Sequence, residues 1–167
     1  MSVLANRAWG LLFVTGSVLL FGGLVQLVAD RPVASGLIGI VQRNLGLSWN
    51  GLVAQSPETA IAILGFQRML ALFIIAFSLL VLSVVLTAYR RGERWAWVTM
   101  WLNLVVLGGI AAVATAYGGW ETEPSRDPGV LGIAILSTLV LLGLFLPFRT
   151  FFPKRVADAT DSRPPTA

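Results

Sequence analysis

Residues 89–97 read YRRGERWAW and form the densest charged stretch between long apolar runs. The segments on either side, 66–89 and 95–119, together contain a single charged side chain, Arg68. A transmembrane helix needs about 20 predominantly apolar residues, and loops rich in arginine are retained on the cytoplasmic side. The stretch therefore predicts a transmembrane helical hairpin whose tip faces the cytoplasm.

The composition of the whole chain is that of a membrane protein. Of its 167 residues, 56% are hydrophobic and 12% are charged, and the mean hydropathy is +0.81. A soluble domain usually has about 25% charged residues. We expect one membrane domain over residues 1–155. The tail, 156–167, lacks apolar residues to pack and is predicted to be disordered in the cytoplasm.

Four apolar segments predict four membrane-spanning helices, at residues 8–29, 66–89, 95–119 and 128–148. The first segment is longer than the apolar part of a cleavable signal peptide, which is about 7–15 residues, so we interpret it as an uncleaved helix. The predicted fold class is all-α: a four-transmembrane-helix bundle with a helical extracytoplasmic loop, residues 30–65, between helices 1 and 2.

That outer loop is too apolar for a solvated linker. Its sequence predicts a short amphipathic helix over 36–45, which ends at Gly46 and at the turn signal Asn50-Gly51. We expect the loop to lie on the outer membrane surface or to pack as a lid over the bundle.

The second long helix has a clear start signal. Ser56 is a predicted N-cap, Pro57 suits the first helical position, and Glu58 places an acid in the first turn. No further proline follows before Tyr89. We therefore predict one helix from Pro57 to Tyr89, about 50 Å long at about 1.5 Å per residue. Its first turns would project beyond the bilayer.

The distribution of basic residues predicts the orientation. With the hairpin tip inside, seven basic residues are cytoplasmic and four are outside, leaving aside Arg163 in the tail. The seven are Arg7, Arg90, Arg91, Arg94, Arg149, Lys154 and Arg155, and the four are Arg31, Arg43, Arg68 and Arg126. Both termini are then expected in the cytoplasm.

Tryptophan and arginine side chains near the span ends are predicted to anchor the helices at the headgroup level. These interfacial anchors are Trp9, Arg90, Arg91, Arg94, Trp95, Trp97 and Trp120. The arginines of the tip have a second interpretation, which is binding of anionic lipid or of a partner's acidic loop.

Polar side chains near the outer ends of the first two spans form the candidate ligand site. Gln26, Gln67 and Arg68 are expected at similar depth, where Arg68 would bind an anionic head group or a carboxylate. The alternative is that Arg68 extends to the interface and hydrogen-bonds its neighbours.

The third span carries the candidate helix-packing residues. Its outer half is rich in small residues, including Gly108, Gly109 and Ala112, which allow two helix backbones to approach closely. Asn103 lies deeper in the same span, and an amide at that depth needs a hydrogen-bond partner. We expect an interhelical bond to a serine of a neighbouring helix, namely Ser17, Ser78 or Ser83.

Several function classes lack the residues they require. The chain has no cysteine and no histidine, and no carboxylate lies within a predicted span. We expect no metal site, no cofactor and no enzymatic activity, and no proton relay of the kind that pumps use. Glu121, Glu123 and Asp127 crowd the second outer loop, where a divalent cation or a simple solvated turn are both possible interpretations. No basic helix suggests nucleic-acid binding.

Residues 89–97 resemble a turn in uncharacterised small four-helix membrane proteins of bacteria, in which an RRGERWAW-like stretch joins the second and third spans. The resemblance implies a bacterial cytoplasmic (inner) membrane and a four-helix bundle, and it supplies no catalytic residues. The expected function is that of an accessory or structural subunit. Its partners would be the lipid bilayer and either further copies of the chain or other membrane subunits. The alternative is binding or transport of a lipid or other amphiphile in a pocket under the 30–65 loop.

Overall fold

A computed structural model describes residues 3–32, 44, 46–116 and 128–152. In this part of the chain the regular structure is entirely helical. The seven α-helices are α1 (Val3–Val28), α2 (Trp49–Gln55), α3 (Pro57–Val84), α4 (Arg94–Met100), α5 (Leu102–Ala116), α6 (Pro128–Phe145) and α7 (Phe148–Phe151). The predicted helix over 36–45 lies largely outside the described residues, as does the tail.

Among the described residues, three helical segments are long and apolar enough to cross a membrane: Ala8–Val28, Pro57–Tyr89 and Arg94–Val113. Their faces turned away from the bundle carry large exposed apolar side chains, as expected of a membrane protein. The apolar helix α6 is shorter. Its 18 residues extend about 27 Å at about 1.5 Å per residue, close to the hydrocarbon thickness of about 30 Å.

The long second helix is confirmed, with one difference at its start. Helical structure continues for 33 residues from Pro57 to Tyr89. Ser56 occupies the N-cap position, but its hydroxyl makes no capping bond to the backbone. It lies 2.7 Å from the hydroxyl of Thr59 instead. The N–H of Glu58 or Thr59, from which such a cap would accept, therefore donates no hydrogen bond to the Ser56 hydroxyl.

The predicted turn at Asn50-Gly51 is wrong, because both residues lie inside helix α2. The Ser48 hydroxyl accepts a hydrogen bond from the Gly51 N–H at 3.2 Å and thereby caps the helix. The buried side chain of Leu52 packs with Ala60 of α3. Capping and this apolar contact together outweigh the local turn preference of the Asn-Gly pair.

The hairpin tip reverses the chain through a glycine. The last turn of the second span is π-helical, over Val85–Tyr89. After it, the N–H of Glu93 donates to the Ala88 carbonyl at 3.1 Å and that of Gly92 to the Tyr89 carbonyl at 3.0 Å. This paired arrangement is a Schellman ending. Gly92 has φ +79°, a conformation that glycine adopts without strain.

The third span is helical from Arg94 to Ala116, with one tight turn at Trp101 that was not predicted. Trp101 forms a tight turn between α4 and α5, in which its N–H donates to the Val98 carbonyl at 3.2 Å. At the start of α5, the Leu104 N–H donates a hydrogen bond to the Trp101 carbonyl at 3.0 Å. Residues 117–119 and the predicted anchor Trp120 lie outside the described residues.

Helix α1 is the centre of the bundle and contacts both α3 and α6. Three glycines permit the close approach. A Cβ on Gly16 would lie 3.0 Å from Leu82, one on Gly23 would lie 2.9 Å from Ile75, and one on Gly143 would lie 2.8 Å from Leu12. Helix α5 packs on α6.

Candidate functional site: the hairpin tip and a cleft beside helix α5

The hairpin tip completes the hydrogen bonding of the end of helix α6. Pro147 has no N–H, so the Gly143 carbonyl four residues earlier has no helical donor. The Tyr89 hydroxyl donates to this carbonyl at 2.6 Å. The Trp97 indole N–H donates to the next carbonyl, that of Leu144, at 2.9 Å. Two hydrogen bonds thus connect the C-terminal end of helix α6 to the hairpin tip.

Helix α7 is held against the same tip. The Arg94 Nε–H donates to the Phe151 carbonyl at 3.1 Å, and the Tyr89 ring lies 4.9 Å from the Phe151 ring. The Trp97 ring lies 5.3 Å from that of Phe152. The side chains in these contacts and in the ring contact of Trp97 with Phe148 are Tyr89, Arg94, Trp97, Phe148, Phe151 and Phe152.

The bonds of Arg94 to α7 and of Trp97 to α6 were not predicted from the sequence. Pro147 was the available signal, because it leaves a carbonyl near the end of an apolar helix without a donor. Of the other described anchors, three lie at the surface of the tip, and Trp9 on α1 is half-buried. Trp95 is 53% exposed, Arg91 is exposed, and the Arg90 guanidinium lies 5.4 Å from the Trp9 ring. Anchoring at the headgroup level remains a prediction for these residues.

The candidate ligand site is only partly assembled. Gln67 is fully buried and donates its Nε2–H to the Gln26 carbonyl at 3.0 Å. The buried Oε1 of Gln26 has no hydrogen-bond partner in the described part of the chain. Arg68, the next residue along α3, is exposed. Gln26 and Gln67 are therefore in contact, and Arg68 is not part of that contact. Extension of Arg68 to the membrane interface remains a prediction.

The predicted interhelical bond of Asn103 to Ser17, Ser78 or Ser83 is wrong, because among the described residues its amide hydrogen-bonds only to Met100. The hydroxyls of Ser78 and Ser83 donate to the Ile74 and Leu79 carbonyls of their own helix. Asn103 donates its Nδ2–H to the Met100 carbonyl at 2.9 Å. Its Oδ1 is buried and lacks a partner among the described residues.

Asn103 also lines a cleft between helices α1, α3 and α5. The cleft has a volume of about 350 Å³, and Asn103 is its one polar lining residue. We call it the α5 cleft. Its walls include Leu19, Leu70, Phe73, Phe77, Val106 and Ile110.

The small residues of α5 lie on the side of the helix opposite the α5 cleft, as about 3.6 residues per turn requires. Gly108, Gly109 and Ala112 are all exposed. Nothing lies within 4 Å of the point where a Cβ on Gly108 or Gly109 would be. Within the described chain, therefore, these residues make no close helix contact.

The described residues contain no group of three or more acidic, histidine or cysteine side chains placed to hold a metal ion. Glu121, Glu123 and Asp127 lie outside that part of the chain. No protein-family model matches this sequence, and neither does any curated protein or solved structure. The resemblance of residues 89–97 to bacterial four-helix membrane proteins therefore remains a prediction.

Proposed function

We propose that this protein is a small, non-enzymatic integral membrane protein that packs against other membrane chains, as an accessory subunit or as a homo-oligomer. The observation that carries the proposal is the exposed small-residue face of α5, formed by Gly108, Gly109 and Ala112. Helices in lipid associate mainly through close van der Waals packing, and small residues allow that close approach.

The chain's own helix contacts support this interpretation. At Gly16, Gly23 and Gly143, a neighbouring helix lies so close that an added Cβ would be about 3 Å from its side chains. Gly108 and Gly109 offer the same kind of surface on α5 without such a neighbour. The large apolar side chains beside them, Val105 and Val113, are 69% and 57% exposed. A second helix seated there would contact the small residues together with these exposed valines.

We also propose the membrane arrangement in which that contact occurs. Helix α6 is the fourth crossing helix, both termini are cytoplasmic, and the membrane is the bacterial cytoplasmic membrane. The excess of basic residues on the side of the tip and the length of α6 support this arrangement.

The test is to enlarge the small face and measure association. The double variant Gly108→Leu/Gly109→Leu places two bulky side chains on it. Gly10→Leu is the matched control, since a Cβ at Gly10 also meets nothing within 4 Å but lies on α1. Native mass spectrometry after gentle extraction should show a homo-oligomer or a hetero-complex for the wild type and the control, and its loss in the double variant. A wild-type protein that is monomeric and alone would contradict the proposal.

A second candidate function is binding of an amphiphile under the 30–65 loop. The buried, unpartnered Oε1 of Gln26 beside Gln67 favours it. Arg68 would then contact the head group. If Arg68→Ala leaves lipid retention during purification unchanged, this second candidate fails.

A further inference from the structure

Arg90 is the first residue of the turn that joins the second and third spans, and its guanidinium is exposed. Within the described ranges, the side chain forms no ion pair and no hydrogen bond, and its one recorded contact is with the Trp9 ring. The carboxylate of the same turn, Glu93, accepts a hydrogen bond from the Trp95 indole N–H. A guanidinium carries five N–H donors, so Arg90 presents a positive charge whose donors are open to a ligand.

The Trp9 ring holds this charge in place. The guanidinium carbon of Arg90 lies 5.4 Å from the ring centroid, within the range of a cation–π contact. The ring is itself held, because Trp9 is half-buried, packs against the buried core and lies edge-on to the Phe13 ring at 6.2 Å. The contact also connects α1 to the end of the second span. A guanidinium positioned in this way loses less conformational freedom when it binds an anion.

Apolar side chains are exposed one helical turn deeper than this pair. Phe13 follows Trp9 by four residues on α1 and is 37% exposed, and Leu86 precedes Arg90 by four residues and is 45% exposed. Four residues correspond to about 6 Å along a helix, and both steps lead away from the tip into the membrane spans. The surface therefore has N–H donors at the end of the spans and apolar side chains just inside them.

We propose that this surface of the hairpin tip binds an anionic phospholipid. A phosphate oxygen of the head group accepts hydrogen bonds from the Arg90 guanidinium, whose planar fork suits phosphate, and an acyl chain lies along Phe13 and Leu86. The 89–97 stretch contains three arginines and one glutamate, and this excess of positive charge favours an anionic head group. The site is separate from the small-residue face of α5 and from Gln26 and Gln67, so the inference goes beyond the proposed function.

Two other acceptors fit the surface less well. An acidic segment of another protein or a free phosphate ion could also accept from Arg90. Neither would use the exposed side chains of Phe13 and Leu86, which lie within the predicted spans. A charged site directly above apolar surface matches a molecule that has an anionic head and hydrocarbon chains.

The test compares dioleoylphosphatidylglycerol with dioleoylphosphatidylcholine, which have the same acyl chains and differ in the charge of the head group. Native mass spectrometry of the full chain in a non-ionic detergent measures the lipid adducts as each lipid is titrated. One basic residue near a membrane surface raises the affinity for anionic lipid about fivefold. We therefore expect the wild type to bind phosphatidylglycerol at least about fivefold more tightly than phosphatidylcholine.

Arg90→Gln removes the charge and most of the donors. It should lower the preference for phosphatidylglycerol about fivefold and leave phosphatidylcholine binding unchanged, which shows that the variant is folded. Arg31→Gln is the matched control, because it removes the same charge from another exposed arginine, beyond the far end of α1. It should keep the preference of the wild type.

sn-Glycerol 3-phosphate, which has a phosphate and no acyl chains, distinguishes the lipid from a free anion. At the same concentration it should leave phosphatidylglycerol binding unchanged, and displacement of the lipid would overturn the proposal in favour of a free anion. Equal binding of the two lipids by the wild type, a preference that survives in Arg90→Gln, or an equal loss in Arg31→Gln would each overturn it as well. A polyglutamate peptide that displaces phosphatidylglycerol from the wild type and does not bind Arg90→Gln would show that an acidic protein segment is the occupant instead.

Discussion

Two side chains of the 89–97 stretch connect the hairpin tip to helix α6. Tyr89 is 4% exposed, and its hydroxyl and the Trp97 indole bond the Gly143 and Leu144 carbonyls of α6. The charge pattern of the stretch predicted a helical hairpin, and the structure has one. The bonds to α6 were not predictable in the same way, because they depend on where a segment some fifty residues later comes to lie.

We predict that Tyr89→Phe destabilises the protein by about 1–3 kcal/mol, because it leaves the buried Gly143 carbonyl without a donor. Trp95→Phe is the control, since Trp95 is 53% exposed, and it should change the free energy of unfolding by less than about 0.5 kcal/mol. Unfolding in mixed micelles, followed by circular dichroism, measures both. Equal stability of the two variants would show that the bond at Tyr89 has no structural role.

At the scale of the elements, apolar length and composition predicted the long helices, whereas the local signals were right at Pro57 and wrong at Asn50-Gly51. The apolar run from Pro57 to Tyr89 gave a single helix, as its composition required. The Asn50-Gly51 turn signal was overridden by the Ser48 cap and the Leu52 contact. The sequence near Trp101 contains no proline or glycine that would predict the tight turn there. In the structure, the Trp101 ring packs with its centroid 5.8 Å from that of the Phe145 ring.

Two adjacent glycines of α1 provide an internal comparison. A Cβ on Gly23 would lie 2.9 Å from Ile75 and 3.3 Å from the Ala71 carbonyl oxygen, whereas one on Gly22 would meet nothing within 4 Å. We expect Gly23→Ala to destabilise the α1–α3 contact by about 1–3 kcal/mol through overpacking. Gly22→Ala should be neutral or stabilising by up to about 1 kcal/mol, because alanine is the better helix former. Thermal unfolding in detergent distinguishes them, and equal effects would contradict the observed packing.

At the scale of the whole molecule, the described residues form three long apolar helices and one shorter apolar helix, α6. The number of helices that cross the membrane can be measured from the side on which each loop lies. The chain has no cysteine, so single cysteines can be introduced without background. If α6 crosses, Arg91→Cys at the tip and Thr160→Cys in the tail lie on the same side, and Asn50→Cys in α2 lies on the other. A membrane-impermeant maleimide applied to intact cells should label only Asn50→Cys. Labelling of Thr160→Cys but not of Arg91→Cys from outside would show that α6 does not cross.

The proposed function also concerns the whole molecule, because it depends on what covers the small-residue face of α5. The most direct measurement is photo-crosslinking in the native membrane, with a diazirine-bearing amino acid in place of Val105 beside that face. The same amino acid in place of Ile135, which is 60% exposed on α6, is the control for a lipid-facing position. We predict a protein adduct of defined mass from position 105 and only lipid adducts from position 135. Only lipid adducts at both positions would contradict the proposal that this protein packs against other membrane chains through α5.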